Sequence, residues 1–307
     1  MIIIKSSLTI FIDGKFIQNL QIPVSYLNEN QVNIFETMLV MKGKIFRLEN
    51  HLNRLFESAK TIGLTIPKSK LEIEKELKRA LSSVSKSKQF FVTKGRRAVG
   101  DCPSPFWYET TCIRLTAFRD QIVIFIFKCE HNSEIYERGV DLNTSAIRRN
   151  TSESFRPEAK SGQFLNGILA DLDPSAKNAF ETLFLDHLGY VKEARVWNFF
   201  IVRRGCLQTP ISSGILDGVT RRFVIECAQK EGIPVKETSL TRHDVWNAEE
   251  AFLTNTSGGI VPVRSLDCRQ IGKKTPGVLT ERLRRRFDNE FRREMGNSHA
   301  SNQACFN

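Results

Sequence analysis

The sequence predicts a soluble α/β protein, because short apolar strand-like runs alternate with amphipathic helix patterns along most of its 307 residues. Apolar residues make up 41% of the chain and charged residues 26%, which is typical of a globular protein. No window reaches the roughly 18 uninterrupted apolar residues of a membrane span, so no membrane association is expected. Seven scattered cysteines without a CxxC pair predict reduced thiols, a cytoplasmic location and no metal site.

The chain is basic, with 45 Lys and Arg residues against 34 Asp and Glu residues and a net charge of +11. Much of the excess lies in short clusters such as Arg148-Arg149, Arg203-Arg204 and the stretch from Arg282 to Arg293. These clusters are not interleaved with aromatic residues in a recognisable nucleic-acid-binding module. We interpret them as solvated surface with some anion-binding positions, and we expect no nucleic-acid partner.

In the first half of the chain, residues 1–48 predict a small meander of strands, two of them flanking an Asp13-Gly14 turn. From Leu48, apolar residues recur at intervals of three and four and predict a helix that ends near Gly63. A second helix is predicted over 70–81. Residues 83–111 are polar and basic and contain two prolines, which indicates a long loop. The apolar runs at 112–118 and 122–129 predict central strands.

In the second half, the polar stretch 130–158 has at its centre Arg148 to Arg156, which we interpret as an interdomain connection. Further strands are predicted at 181–186, 198–203 and 250–254, and further helices near 164–172, 219–232 and 277–294. The tail from Gly296 to Asn307 has no periodic pattern and is predicted to be disordered.

Three local features carry candidate chemistry. In Ile215-Leu-Asp-Gly-Val-Thr-Arg221, a glycine turn leads directly into a helix and presents free backbone N–H groups to an anion. The loop Leu253-Thr-Asn-Thr-Ser-Gly-Gly259 is rich in hydroxyls and glycine, which suits phosphate or carboxylate binding. Lys160 lies in Ala-Lys-Ser-Gly before a helix. Taken singly, an ordinary helix cap and a surface lysine are the default explanations of the first and third features, and a plain loop explains the second equally well.

Their order and spacing resemble a known family. Lys160, Glu193 with Asn198, Gly218-Val-Thr-Arg221 and Thr256 follow one another as in the large domain of class IV pyridoxal-phosphate aminotransferases. This fold type IV family includes branched-chain aminotransferases, D-amino-acid aminotransferases and aminodeoxychorismate lyases. Additional segments in register are Phe35-Glu-Thr37, Gly43-Lys-Ile-Phe46, His51-Leu-Asn-Arg-Leu55, Gly189-Tyr-Val-Lys-Glu193 and Ala248-Glu-Glu-Ala-Phe-Leu-Thr-Asn-Thr256. The resemblance covers about residues 8–82 and 112–287.

The resemblance implies a D-amino-acid-aminotransferase-like architecture and a homodimer. A small α+β domain over 1–133 would be joined by a connection over 134–157 to a larger, barrel-like α/β domain over 158–295 that binds the cofactor. Residues 296–307 would form the disordered tail. The cofactor, pyridoxal 5'-phosphate, would lie in the cleft between the two domains.

The resemblance also assigns roles to individual residues. Lys160 would carry the cofactor as a Schiff base and then move the α-proton of the substrate. Glu193 would face the pyridine nitrogen and Arg54 would pair with the phosphate. The implied cofactor-binding residues are Arg54, Lys160, Glu193, Asn198, Leu216, Gly218, Val219, Thr220 and Thr256. The implied substrate-binding residues are Phe35 and Ser257, with Arg114, Arg119 and Lys94 as alternative cations for the substrate carboxylate.

Some positions depart from the family pattern. Phe164 stands where the family has a tyrosine that donates to the cofactor's phenolic oxygen. Ala194 and Arg195 stand where a glycine commonly follows the glutamate. Asn30-Gln-Val-Asn33 replaces an aromatic and glycine segment, and Cys268 replaces a turn glycine.

Three functions follow from these observations. The leading expectation is transamination between an amino acid with a branched-chain-like side chain and 2-oxoglutarate. The alternative within the family is a lyase that releases 4-aminobenzoate and pyruvate from aminodeoxychorismate. The alternative outside catalysis is a protein that keeps the fold for binding and has lost most of its activity.

Overall fold

In the computed structural model, the described residues are 9–12, 15–17, 32–85, 109–153, 156–162, 165–173 and 177–296. Their strands form a six-stranded sheet from the first part of the chain and a nine-stranded sheet from the second part. The predicted α/β class is confirmed, since seven helices among the described residues accompany the two sheets. No helix within these ranges is both long and apolar enough to traverse a bilayer.

The first sheet is antiparallel throughout and has the order β2-β1-β6-β5-β3-β4. Its strands are β1 (Thr9–Ile12), β2 (Lys15–Ile17), β3 (Ile34–Met41), β4 (Lys44–Ile45), β5 (Glu109–Ala117) and β6 (Ile122–Glu130). Two helices, α1 (Leu48–Ile62) and α2 (Lys70–Ser85), bury their apolar residues in a core shared with this sheet. Helix α1 ends as predicted, because Gly63 adopts a left-handed conformation with φ 70° that terminates the helix.

The second sheet is mixed and has the order β12-β11-β10-β13-β14-β7-β8-β9, with β15 paired to β14. Its strands are β7 (Val140–Arg148), β8 (Glu181–Leu185), β9 (Val191–Ala194), β10 (Asn198–Arg203), β11 (Cys206–Thr209), β12 (Val235–Glu237), β13 (Glu250–Asn255), β14 (Gly259–Leu266) and β15 (Arg269–Gln270). The helices of this part are α3 (Glu134–Glu137), α4 (Leu165–Leu172), α5 (Val219–Lys230), α6 (Arg242–Trp246) and α7 (Val278–Glu294). The predicted strands and helices of the second half are therefore present, with bounds within about two residues.

One of the two hydrophobic cores contains residues from both parts of the chain. Phe46, which follows β4, packs against Phe223 of α5 and Phe291 of α7 with ring centroids 5.1 and 4.7 Å apart. The next residue, Arg47, forms ion pairs with Glu226 of α5 at 2.6 Å and Glu294 of α7 at 2.8 Å. These contacts fix the start of α1 against the second sheet's helices, and α1 carries Arg54.

The structure corrects the interpretation of 134–157 as a connection. This stretch contains α3 and β7, and β7 is a central strand that pairs in parallel with both β14 and β8. The strand was missed because polar residues occupy most of its length: Val140 and Leu142 are buried, but Asp141, Asn143 and Thr144 lie between and after them. The division of the chain into two domains stays a prediction.

Both ends of the long loop predicted over 83–111 belong to regular elements, because α2 continues to Ser85 and β5 begins at Glu109. Residues 86–108 between them lie outside the described residues, as do the Asp13-Gly14 turn and the tail from 297 onward.

Candidate active site

Lys160 is held by its backbone between the first sheet and α1. Its carbonyl oxygen accepts a hydrogen bond from the N–H of Phe35 on β3 at 3.0 Å, and its own N–H donates to Ser58 Oγ on α1 at 3.0 Å. The half-buried side chain places Nζ 4.6 Å from the centroid of the Phe35 ring. Among the described residues, no side chain or carbonyl accepts a hydrogen bond from this amine.

The amine of Lys160 lies in a field of four other charged groups. Burial and the positive charges of Arg54 and Arg114 lower its pKa, whereas Glu36 and Glu193 act to raise it. The net result is a pKa of about 8. The structure therefore brings Lys160, Arg54 and Glu193 together, as the sequence predicted for one site. An amine with this pKa is partly neutral near pH 7.5, and the neutral form is the nucleophile.

Glu193 lies on β9 and is buried with three hydrogen-bond donors around its carboxylate. Oε1 accepts from Arg149 Nη2 at 2.6 Å, and Oε2 accepts from the N–H of Leu216 at 3.1 Å and from Asn198 Nδ2 at 3.3 Å. Asn198 also donates to the Leu216 carbonyl oxygen at 2.8 Å, which ties β10 to the turn before α5. Burial raises the pKa of Glu193, whereas Arg149 and the Leu216 N–H act to lower it.

The entrance of α5 is built to receive an anion. Gly218 occupies the position before the helix and makes no side-chain cap, so the first N–H groups, including those of Val219 and Thr220, have no acceptor within the helix. A Cβ atom at Gly218 would lie 2.2 Å from Asn198 Oδ1, so only glycine allows this close approach. The hydroxyl of Thr220 lies 3.4 Å from that of Thr256 in the loop between β13 and β14. Two hydroxyls and a set of free N–H groups thus converge.

Arg54 reaches the same turn from α1, held by a buried carboxylate. Its Nε and Nη2 donate to the two oxygens of Glu36 at 2.7 Å each, and Nη1 donates to the carbonyl oxygen of Asp217 at 3.0 Å. His51 Nδ1 lies 2.7 Å from Glu36 Oε2. Although burial pushes the pKa of Glu36 upward, Arg54 and His51 lower it to about 2. These bonds use three of the five guanidinium N–H groups and leave two for an anion next to Gly218.

The candidate substrate cations differ in position. Arg114 on β5 lies with its guanidinium carbon 3.9 Å from the centroid of the Phe35 ring, on which Lys160 also lies. It has no carboxylate partner in the part of the chain that the structure describes, and burial lowers its pKa to about 10. Arg119 is exposed after the end of β5 and is not among the charges that act on Lys160. Arg119 is therefore a weak candidate, and Lys94 lies outside the described residues.

Ser257, the other predicted substrate residue, is half-buried in the same loop as Thr256. Its hydroxyl lies 3.4 Å from Asn255 Oδ1, and its carbonyl oxygen lies 3.1 Å from His131 Nε2. The loop is thus brought to the α5 entrance as predicted, through Thr256.

Two departures from the family pattern are accommodated locally. Ala194 is buried at the end of β9, and Arg195 turns to form ion pairs with Asp171 and Glu181. Cys268 adopts a left-handed conformation with φ 60° in the turn between β14 and β15, where a non-glycine residue is strained. Phe164 and residues 30–31 lie outside the described residues.

Sequence reasoning missed the residues that hold the predicted ones in place. These are Glu36, His51, Ser58, Arg149 and Asp217. The signals available were the spacing of His51 and Arg54, which places both on one face of α1, and the position of Glu36 between Phe35 and Thr37 in a noted segment. Arg149 gave no separate signal, because it was interpreted with Arg148 as surface charge.

Comparison with known proteins agrees with this geometry. Residues 33–266 match the family model for amino-transferase class IV. A putative branched-chain-amino-acid aminotransferase from Methanocaldococcus jannaschii is 32% identical over 282 residues, which cover 91% of this chain and 94% of that protein. A branched-chain-amino-acid aminotransferase from Pseudomonas aeruginosa is 29% identical and covers 79% of this chain and 77% of its own length. A D-alanine aminotransferase from Bacillus licheniformis is 25% identical, covering 84% and 87%.

Solved structures are similar over nearly the whole chain. A putative branched-chain amino acid aminotransferase from Thermotoga maritima has a TM-score of 0.76 and 26% identity, and covers 92% of this chain and 96% of its own. The T.th. branched-chain amino acid aminotransferase, complexed with N-(5'-phosphopyridoxyl)-L-glutamate, has a TM-score of 0.74 and 27% identity, covering 94% and 95%. The predicted family, fold type and cofactor are thereby confirmed. This chain belongs to the class IV aminotransferase family, and it is a pyridoxal-phosphate-dependent enzyme of fold type IV.

Proposed function

We propose that this enzyme transfers the amino group of a branched-chain-like amino acid to 2-oxoglutarate, with pyridoxal phosphate bound at Lys160. The observation that carries the proposal is the unpaired Lys160 amine, whose pKa of about 8 is set in a field shared with Arg54 and Glu193. The names of the relatives support the substrate class, since most of those compared are branched-chain aminotransferases.

The residues present fit the cofactor on three counts. An amine without a partner suits its aldehyde, a buried carboxylate suits its ring nitrogen, and the uncapped helix entrance at Gly218 suits its phosphate. When bound, pyridoxal phosphate supplies an electron sink for negative charge at the substrate's α-carbon.

In this proposal Lys160 and Glu193 manage two different protons. The Lys160 amine attaches the cofactor and, once released, takes the proton from the substrate's α-carbon and returns it. The Glu193 carboxylate holds a proton at the ring nitrogen. It does so only while it is ionised, and Arg149 favours the ionised form against the effect of burial.

The phosphate would be held by groups from three elements. Val219 and Thr220 supply N–H groups at the start of α5, Thr220 and Thr256 supply hydroxyls, and Arg54 supplies its two remaining N–H groups. Leu216, Asn198 and Gly218 shape this end of the site, because they position the turn before α5.

The substrate would lie against Phe35, with Arg114 binding a carboxylate. Solved relatives are described with two kinds of molecule, a phosphopyridoxyl-L-glutamate and 4-methylvaleric acid, which are a dicarboxylate and a branched monocarboxylate. A site with one unpaired guanidinium stacked on an apolar ring can accept both kinds of side chain in turn. Ser257 would contact the substrate from the opposite loop.

A homodimer in the cytoplasm completes the proposal. The homodimer is supported by the family resemblance, and the cytoplasmic location by the scattered cysteines. The roles of Lys94 as a cation for the substrate carboxylate and of Phe164 in place of the family's tyrosine stay predictions.

The test is turnover by the purified protein. Incubation with leucine, 2-oxoglutarate and pyridoxal phosphate should yield glutamate, and D-alanine should be a poorer donor than leucine. Release of pyruvate from aminodeoxychorismate without an amino acceptor would identify a lyase instead. No turnover across a broad panel of amino acids would contradict both activities and favour a binding role.

A further inference from the structure

The loop that contains Thr256 is held by side chains from a segment that is not part of the second sheet. Residues 256–258 connect β13 to β14, whose pairing ends at Asn255 and Gly259. The carbonyl oxygens of Ser257 and Gly258 are both turned toward the segment between β6 and β7. There His131 Nε2 lies 3.1 Å from the Ser257 oxygen, and the Tyr136 hydroxyl donates to the Gly258 oxygen at 3.1 Å.

The two side chains form a small, mostly buried unit. Tyr136 on α3 has no exposed surface, and its ring meets the His131 ring edge to face with centroids 6.4 Å apart. Arg284 of α7 donates to the Tyr136 carbonyl oxygen at 2.9 Å, which fixes α3 in turn. His131 and Tyr136 therefore have little freedom to follow the loop if it moves.

The opposite side of the loop is closed by Trp197. A Cβ atom at Gly258 would lie 2.2 Å from Trp197 Cη2, so the loop backbone contacts the indole directly. Within the loop, the Gly258 N–H donates to Asn255 Oδ1 at 2.8 Å. The N–H groups of Thr256 and Ser257, by contrast, have no acceptor within the described residues.

We propose that His131 and Tyr136 are positioning residues of the active site. By holding the carbonyl oxygens of Ser257 and Gly258, they fix the orientation of the adjacent peptide groups. The Thr256 hydroxyl then faces Thr220, and the free N–H groups of Thr256 and Ser257 face the anionic groups of the molecules bound there. This inference rests on the proposed function, because it assigns the loop's donors to the bound cofactor and substrate.

The test compares four variants of the full-length enzyme. Tyr136→Phe and His131→Phe each remove one donor, and His131→Gln keeps an N–H donor of similar reach. The matched control is Thr209→Val, which removes another buried side-chain bond to a backbone carbonyl, from Thr209 Oγ1 to Phe199 at 2.9 Å, in the same sheet but away from the loop.

Two measurements separate positioning from plain stability. In the cofactor-free protein, exchange of the Gly258 amide hydrogen, which is bonded to Asn255 Oδ1, should be about five- to tenfold faster in Tyr136→Phe and His131→Phe, as expected for the loss of one hydrogen bond that holds the loop. In the holoenzyme, the KM for the amino acid should rise by a similar factor while kcat changes by less than about twofold. His131→Gln should lie between His131→Phe and wild type, and Thr209→Val should alter neither quantity whatever its melting temperature.

The outcomes are distinguishable from a failure of the proposed function. Unchanged exchange in the two phenylalanine variants would overturn the inference, and so would unchanged KM in an active enzyme. A KM increase of the same size in Thr209→Val would overturn it too, since it would reduce the effect to general destabilisation. A wild-type protein that binds no pyridoxal phosphate would refute the proposed function itself, while the exchange data would still report whether the loop is held.

Discussion

Two charged groups of the site contact neighbouring residues of β3 and are organised in opposite ways. The Glu36 cluster, made of Glu36, His51 and Arg54, is closed: both carboxylate oxygens and most of the guanidinium are bonded within the protein. The cation pair, made of Lys160 and Arg114, is open: both lie on the Phe35 ring and have no carboxylate partner among the described residues. Phe35 thus contacts the cation pair, and the next residue of the same strand, Glu36, is the carboxylate of the closed cluster.

Burial acts on both groups, and the partners decide the result. It raises the pKa of a carboxyl, yet Arg54 and His51 bring that of Glu36 down to about 2. The cation pair has no bonded partner of opposite charge that offsets the effect of burial. The pKa of Lys160 is therefore lowered to about 8 and that of Arg114 to about 10. A closed network fixes the position of a side chain. For an open cation, the binding of an anion offsets the free-energy cost of burying an unpaired charge. In the closed cluster only Arg54 keeps N–H groups for a ligand, whereas both members of the open pair are left for ligands.

The largest expected effect comes from Lys160→Arg, which keeps the charge of the open pair but removes the amine. Transamination should fall by at least about a thousandfold, because arginine neither attaches the cofactor nor shuttles a proton at this pH. Steady-state kinetics measure the loss. The control is Lys192→Arg, since Lys192 is a buried lysine already bonded to Ser213 at 3.1 Å. Substantial residual turnover in Lys160→Arg would contradict the assignment.

The closed cluster is tested by Glu36→Gln, which leaves Arg54 buried without its partner. The free energy of unfolding at pH 7 should fall by about 3–5 kcal/mol. Because the pKa of Glu36 in the folded state, about 2, is below its ordinary value, its contribution is complete above about pH 4.5 and is lost as the pH falls toward 2.

Urea unfolding of wild type and Glu36→Gln at pH 7 and pH 3 measures this dependence. The difference in the free energy of unfolding between wild type and Glu36→Gln should be smaller at pH 3 than at pH 7. As a control, Glu74→Gln, whose carboxylate forms an exposed pair with Lys78, should change this free energy little at either pH. An equal free-energy difference at pH 7 and pH 3 would mean that the charge of the Glu36 carboxylate does not stabilise the cluster.

Arg149→Met opens a network that is closed in the wild type. Without Arg149, burial raises the pKa of Glu193 further, so the carboxyl takes up a proton at a higher pH and no longer holds one at the ring nitrogen. We expect kcat to drop by roughly tenfold near neutral pH and to recover as the pH rises. Arg149→Lys, which keeps the charge, should lie nearer to wild type. A pH–rate profile identical to that of the wild type would refute this role.

An effect of similar size, but on KM and not on kcat, is expected where the open pair meets its ligand. Arg114→Met should raise the KM for 2-oxoglutarate by roughly tenfold, the loss of one charge-assisted hydrogen bond, with less effect on leucine. Arg119→Met provides the comparison, because Arg119 is exposed after the end of β5 and should leave both KM values unchanged. Equal effects from the two variants would remove Arg114 from the substrate site.

The contrast also shows which parts of the site a sequence can reveal. Lys160, Glu193, Gly218 and Thr256 were found because their order along the chain matches a family, and order is a property of sequence. Among their partners, Asn198 was found in the same way, but Arg149, which bonds to Glu193, and Glu36, which holds Arg54, were not. Glu36 and Arg54 are 18 residues apart on a strand and a helix, and no periodicity reports that their side chains meet.

The fold could be predicted to the extent that hydrophobic patterns were clear. Helix α1 was found from its apolar spacing and Gly63, and β5 and β6 from their mainly apolar, strand-like runs. Strand β7 was missed because its centre is polar: Thr144 bonds to Asp267 through both its N–H and its hydroxyl. Burial of polar residues depends on such long-range bonds, which composition does not encode.

The central claim is that one amine, left open by the protein, attaches the cofactor. Borohydride reduction of the protein with pyridoxal phosphate, followed by peptide mapping across a pH series, tests it directly. We predict that the modification lies on Lys160 and that its pH dependence in the cofactor-free protein follows a pKa of about 8, not the roughly 10.4 of an ordinary lysine. Modification of other lysines, or of Lys160 only at strongly alkaline pH, would contradict the account.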